Sequence, residues 1–79
     1  MIKYPDGTEA CIGDVVSLAH GTVVGVVREV IDSSKQADAW GLEPDDLGLM
    51  VESKQFGLSF YPALFFNEGE IRFVSRAEN

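Results

Sequence analysis

The stretch from Thr22 to Asp32 reads Thr-Val-Val-Gly-Val-Val-Arg-Glu-Val-Ile-Asp, and it constrains the fold more than any other part of the chain. β-Branched side chains lose rotamer freedom in a helix and pack well on a pleated surface, so this run is a strand. Gly25 interrupts it where a small barrel needs a bulge or a sharp coil. The alternation also slips by one residue between Val27 and Val30, which again predicts a bulge. A chain of 79 residues that invests so much in one strand has room for one domain, spanning 1–79. At that size only about 60% of the unfolded surface is buried. The core is then a single layer of side chains inside a barrel or between two small sheets.

The remaining segments are short and divided by turn residues. Met1–Tyr4 reads as a brief strand, and Tyr4-Pro5-Asp6-Gly7 and Ile12-Gly13-Asp14 read as turns. Val15–Leu18 is a strand with Val16 and Leu18 on one face. Ser33–Ala39 is polar and fits either a loop or one helical turn, while Gly41, Pro44 and Asp45-Asp46 exclude a regular strand there. Leu47–Glu52 and Gly57–Tyr61 form a hairpin around Ser53–Phe56, and Pro62 ends it. Ala63–Phe66 suits a short helical turn, Glu70–Ser75 a last strand with Ile71 and Phe73 on one side, and Arg76–Asn79 a frayed tail. The expected class is therefore all-β, a small barrel of five to six short antiparallel strands. Val16, Leu18, Val27, Leu49, Val51, Ile71 and Phe73 are expected to point inward.

Composition narrows function mainly by exclusion. Six basic residues stand against 13 acidic ones, a net charge of -7, and the basic residues are scattered. That balance repels phosphate backbones, so no nucleic-acid partner is expected. It favours solubility and basic partners. The lone Cys11 cannot form an internal disulfide, and no apolar run approaches the ~20 residues of a membrane span. The N-terminal residues lack a signal-peptide pattern. These features lead to the expectation of a cytoplasmic protein with no membrane partner.

No catalytic constellation emerges. Asp14, Ser17 and His20 are near in sequence, but a strand and a turn would not converge them into a triad, and His20 reads as an exposed turn residue. One Cys and one His are too few for zinc, and Asp38, Glu43, Asp45 and Asp46 match no calcium loop. Cys11, with no basic neighbour in sequence, reads as a small buried hydrophobe. The expectation is a non-enzyme without cofactor or metal.

The acidic segment carries the functional signal. Asp38, Glu43, Asp45, Asp46 and Glu52 occur with no basic residue among them, and Trp40 lies inside the segment. Trp is enriched at binding hot spots. The expected partner-binding set is Asp38, Trp40, Glu43, Asp45, Asp46 and Glu52, facing a basic protein; the alternative is that Trp40 caps the open end of the barrel. Tyr4, Trp40, Phe60 and Tyr61 could instead form an aromatic cage or a proline-peptide groove. The neighbours Phe65 and Phe66 cannot both point inward from a strand, which leaves a homodimer or partner contact open.

Gly13-Asp14-Val15-Val16-Ser17-Leu18 resembles the G-D-x-V-x-L opening of KOW-type and related SH3-like barrels, and Gly25-Val26-Val27 resembles the G-x-V strand that follows it. Together with Tyr4–Glu9, Gly48–Glu52, Gly57-Leu58 and Tyr61-Pro62, the whole chain resembles a family of small bacterial proteins. These open with Y-P-D-G-x-E, carry V-G-D-x-V and end in a hairpin of the form G-V-L-I-E…G-L-I-x-Y. Some are similar to immunity proteins that neutralise bacterial toxins. The resemblance implies an SH3-like barrel and a stoichiometric, antitoxin-like inhibitor of a basic secreted toxin. The alternatives are a KOW-type nucleic-acid- or ribosome-associated domain and a homodimeric accessory protein. Asp38–Asp46 and Ala63–Phe66 depart from the family pattern, so the partner's identity does not carry over.

Overall fold

A computed structural model describes residues 2–68 and 71–76. The fold is all-β. Five antiparallel strands, β1 (Val15–Leu18), β2 (Val23–Ile31), β3 (Gly48–Ser53), β4 (Gly57–Pro62) and β5 (Ile71–Ser75), form one sheet in the order β4-β3-β2-β1-β5. A six-residue helix, α1 (Ser34–Ala39), lies between β2 and β3, and 3-10 turns occupy Ala19–Gly21 and Ala63–Glu68. The expected N-terminal strand is reduced to one bridge, Lys3 to Glu9, flanking the Tyr4–Gly7 turn.

The sheet curls around one core, which gives the fold its barrel-like form. Val16 and Leu18 from β1, Val27 from β2, Leu49 and Val51 from β3 and Ile71 from β5 form one buried cluster, with Tyr61 of β4 and Phe73 of β5 packed against it. Phe66 from the second 3-10 turn and Ile2 and Tyr4 from the N-terminal ribbon join the same cluster. The seven expected core positions therefore all face inward, Phe73 as a partly buried member.

Gly25 faces Val16 and the buried Ser53 with its register unbroken. A Cβ there would lie 2.6 Å from Val51 Cγ1 and 3.0 Å from the Glu52 carbonyl oxygen. This glycine admits a close approach of side chains across a coiled sheet. The bulge lies at Arg28, within the Val27–Val30 slip, where the β2–β3 register shifts between Val27 and Glu29. It keeps Val27 and Val30 on the inner face, opposite Val51 and Leu49, and sends Ile31 to the outer face. There Ile31 joins Met50, Ala37 of α1, Leu42 and Phe60 in a second cluster. The polar insertion is thus seated on the outside of the sheet by an apolar contact of its own.

One buried charge ties the N-terminal ribbon to the sheet. The Asp14 carboxylate is fully buried. It accepts hydrogen bonds from the Tyr4 hydroxyl at 2.7 Å and the Cys11 N–H at 2.8 Å. Arg76 Nε donates to its other oxygen at 2.9 Å, and a second guanidinium nitrogen donates to the Glu9 carbonyl at 2.6 Å. The guanidinium also lies over Phe73, whose ring packs at 5.3 Å from that of Tyr4. Arg76 is therefore an anchored residue, contrary to the frayed tail read from the sequence; residues 77–79 lie outside the described part. A buried carboxylate survives only with such saturation.

Burial pushes the Asp14 carboxyl upward, but hydrogen bonds from Arg76, Tyr4 and the Cys11 N–H outweigh it and hold the group below the usual carboxylate range. Burial, reinforced by the hydrogen bond and charge of Asp14, pushes the Tyr4 hydroxyl well above its ordinary value. The Asp14 contribution is complete above an unfolded-state value of about 3.9 and is lost as pH falls through the lower folded value. The Tyr4 contribution is complete below about pH 10 and is lost as pH rises through the higher folded value. Urea midpoints measured across pH should fall at both ends. Tyr4→Phe should lower stability by about 1–3 kcal/mol at neutral pH, because it leaves a buried carboxylate short of a donor. Wild-type stability in Tyr4→Phe would show that the hydroxyl contributes nothing to the clasp.

Candidate partner-binding face

The acidic segment is a built loop. Helix α1 begins at the N-cap Ser33, whose hydroxyl accepts from the Gln36 N–H at 3.3 Å. Gln36 reaches back to accept from the Asp32 N–H at 3.1 Å and donates to the Val30 carbonyl at 2.9 Å. This is the logic of a capping box, with the return bond displaced by one residue. The helix ends at Trp40. Gly41 follows at φ 74°, its N–H donating to the Asp38 carbonyl, while the Leu42 N–H donates to the Ala37 carbonyl at 2.8 Å. That pairing is a Schellman termination, which requires a residue comfortable at positive φ, and its Leu42–Ala37 contact belongs to the outer apolar cluster.

The turn that follows is fixed by one of its own acids. Asp46 Oδ2 accepts from the Glu43 N–H at 3.1 Å, and the Asp46 N–H donates to the Glu43 carbonyl at 3.0 Å. Glu43, Pro44 and Asp45 are exposed, and Asp46 is half-buried. Asp38 is exposed near the C-terminal end of α1, and the last turn of that helix holds no basic residue. The negative end of the helix and its acidic side chain therefore reinforce one another.

The expected site residues do not all belong together. Asp38, Trp40, Glu43, Asp45 and Asp46 lie on the inserted segment. Glu52 stands on the outer face of β3 and makes a 2.8 Å ion pair with Arg28, both side chains about half exposed. An exposed pair of this kind is worth little to stability, about 0–1 kcal/mol, but it occupies the Glu52 charge. Trp40 is 40% exposed and belongs to neither buried cluster, so it does not plug the barrel; the aromatics of the inner core are Tyr4 and Phe66, with Tyr61 and Phe73 packed against them. The aromatic cage does not form either. Phe60 and Tyr61 point to opposite faces of β4, and Tyr4 is buried beside Asp14.

Other sequence candidates resolve locally. Cys11 is half-buried, with Sγ directed at the Glu9 carbonyl at 3.9 Å, and the fold brings Arg76 to that same carbonyl. The thiol therefore has a basic residue in its surroundings that sequence proximity does not reveal. The Asp14 carboxylate is committed to Tyr4, Cys11 and Arg76. The side chains of His20 and Phe65 lie outside the described residues, while Phe66 is buried. Among the described residues, no cluster of three or more His, Cys, Asp or Glu side chains is placed to hold a metal ion, and no helix is long and apolar enough to cross a membrane.

Compared with known proteins, the chain matches no family model, no curated protein and no solved structure.

The Schellman glycine generates a test of the loop's rigidity. Gly41→Ala forces a side chain into the left-handed region and should cost about 1 kcal/mol. It should also raise amide exchange from Ala37 to Leu47 selectively. Unchanged exchange in that segment would show that the termination does not hold the acidic turn in place.

Proposed function

We propose that this chain is a non-enzymatic binding protein whose exposed acidic turn, with Trp40 beside it, receives a basic protein partner. The observation that carries the reading is the structure of the insertion. Asp38, Glu43 and Asp45 are exposed, and among the described residues none of them is ion-paired, on a loop held by a capping box and a Schellman turn. Like charges held together repel, and a cationic surface relieves that repulsion. A preorganised loop loses little conformational entropy on binding. A half-exposed indole supplies apolar area at the centre of such a contact.

Within that class the reading is an immunity- or antitoxin-like inhibitor of a basic bacterial toxin, acting in the cytoplasm by direct contact. Its support is the family resemblance of the Tyr4–Glu9, Gly13–Leu18 and Gly48–Pro62 segments, together with the net charge of -7. A KOW-type role on RNA is disfavoured by the same charge, since the counterion-release contribution to affinity depends on clustered lysine and arginine.

The test is co-expression of the chain with each protein encoded beside its gene, scored as rescue of growth, followed by binding of the purified pair. The Glu43→Lys and Asp45→Lys double variant, which spares the Asp46 carboxylate that fixes the turn, should slow association by roughly tenfold or more and flatten its salt dependence. Trp40→Ala should mainly speed dissociation, at a cost of about 2 kcal/mol or more. Folded variants that bind and protect like wild type would move the interface elsewhere. Micromolar RNA binding that weakens steeply with salt would favour the KOW reading.

A further inference from the structure

The sheet has two edges, and they are treated differently. The β5 edge carries Arg72, and the N-terminal ribbon is clasped to its end through Arg76 and Phe73. The β4 edge, Gly57-Leu58-Ser59-Phe60-Tyr61-Pro62, carries no charge along its length. Charged side chains and pairing with a further strand are usual protections of an edge, and among the described residues β4 has no charged side chain and no strand paired to its outer side.

The register shows which backbone groups this edge presents. The Ala63 N–H donates to the Leu47 carbonyl at 2.9 Å, which makes that pair hydrogen-bonded. Hydrogen-bonded and non-bonded pairs alternate along an antiparallel ladder. Tyr61 opposite Leu49 and Ser59 opposite Val51 are therefore the bonded pairs, and Leu58 and Phe60 direct their N–H and C=O groups away from β3. The side chains of Leu58 and Phe60 share the outer face with Met50, and Leu58 is 48% exposed. The edge thus offers an alternating backbone ladder with an apolar row along one side.

Charge selects the occupant. Pro62 pairs with Gly48, and Leu47 bonds Ala63, so the C-terminal end of β4 lies about one strand spacing, ~5 Å, from the chain that leaves the acidic turn. The other end of β4 meets the hairpin loop containing Lys54. A second copy of the chain would bring another net charge of -7. A cationic strand would bring the complement.

We propose that β4 receives, by strand addition, an extended segment of a protein partner with alternating apolar residues, its basic end lying beside Glu43–Asp46. This rests on the acidic-turn reading above and specifies how that partner is held. Main-chain hydrogen bonds to Leu58 and Phe60 supply affinity, and the charge gradient from Lys54 to Asp46 sets direction.

The probe is a short synthetic peptide of alternating valine and threonine with an arginine pair at one end. It is compared with the same peptide ending in glutamates and with an arginine form N-methylated on alternate backbone nitrogens. Affinities come from calorimetry, and contacts from amide chemical shifts. The arginine peptide should bind and shift the Leu58 and Phe60 amides. N-methylation should weaken it roughly tenfold or more, and so should Leu58→Pro, which removes an outward-facing donor but no bond to β3 and should leave the fold intact, whereas Leu58→Ala, which keeps the donor, should weaken it less. Equal binding of the N-methylated peptide would overturn strand addition while leaving the acidic-turn reading standing. Equal binding of the glutamate peptide would overturn the cationic occupant and the acidic-turn reading with it. Failure of the arginine peptide to bind, or concentration-dependent pairing of β4 with itself, would also overturn the proposal.

Discussion

The fully buried Asp14 carboxylate is the constraint on which the closed form of this molecule depends. An ionised group with no access to water is tolerated only when its lone pairs are filled, and the donors that fill them come from far apart in sequence. Tyr4 and Cys11 belong to the N-terminal ribbon, and Arg76 follows the last strand. Satisfying one carboxylate therefore fixes both ends of the described chain against β1. Nearly every contact in the clasp has a second use: the Tyr4 ring packs on Phe73, and the guanidinium that bonds Asp14 also holds the Glu9 carbonyl.

A second constraint acts at the centre of the sheet. A domain this small has one interior, and an inserted segment must find its own apolar footing or remain loose. The bulge at Arg28 provides that footing by turning Ile31 outward beside Met50. Ala37 and Leu42 then cover these residues, and their positions set where α1 ends and where the acidic turn begins. The scaffold positions the charge by packing, because the acids themselves repel one another.

The strands were legible because their side-chain period is two and their turns carry glycine and proline. Val16 and Leu18, Leu49 and Val51, and Ile71 and Phe73 follow directly from alternation, and the slip after Val27 signalled the bulge. At Gly25 the sequence leaves a bulge and a sharp coil open, and the unbroken register excludes the bulge: a glycine that admits neighbouring side chains looks in sequence like one that breaks a ladder. Helix α1 had a readable signature in Ser33-x-x-Gln36 followed by Gly41, a capping pair and a C-terminal glycine. The clasp did not, because Asp14 and Arg76 are joined only by the topology that brings β5 beside β1. Likewise, the pairing of Glu52 with Arg28 depends on the β2–β3 register and is not legible from the position of Glu52 in the sequence.

Together these features describe a rigid scaffold with an acidic turn at one end of an open strand edge. Amide hydrogen exchange of the free protein tests this arrangement most directly. The Ser59 and Tyr61 amides, bonded to β3, should be protected, while the Leu58 and Phe60 amides that alternate with them should exchange at rates close to those of an open chain. The Val16 and Leu18 amides in the interior of the sheet should be far slower. Uniform protection from Leu58 to Tyr61, rising with protein concentration, would contradict the account by showing that the edge is already occupied by a second copy.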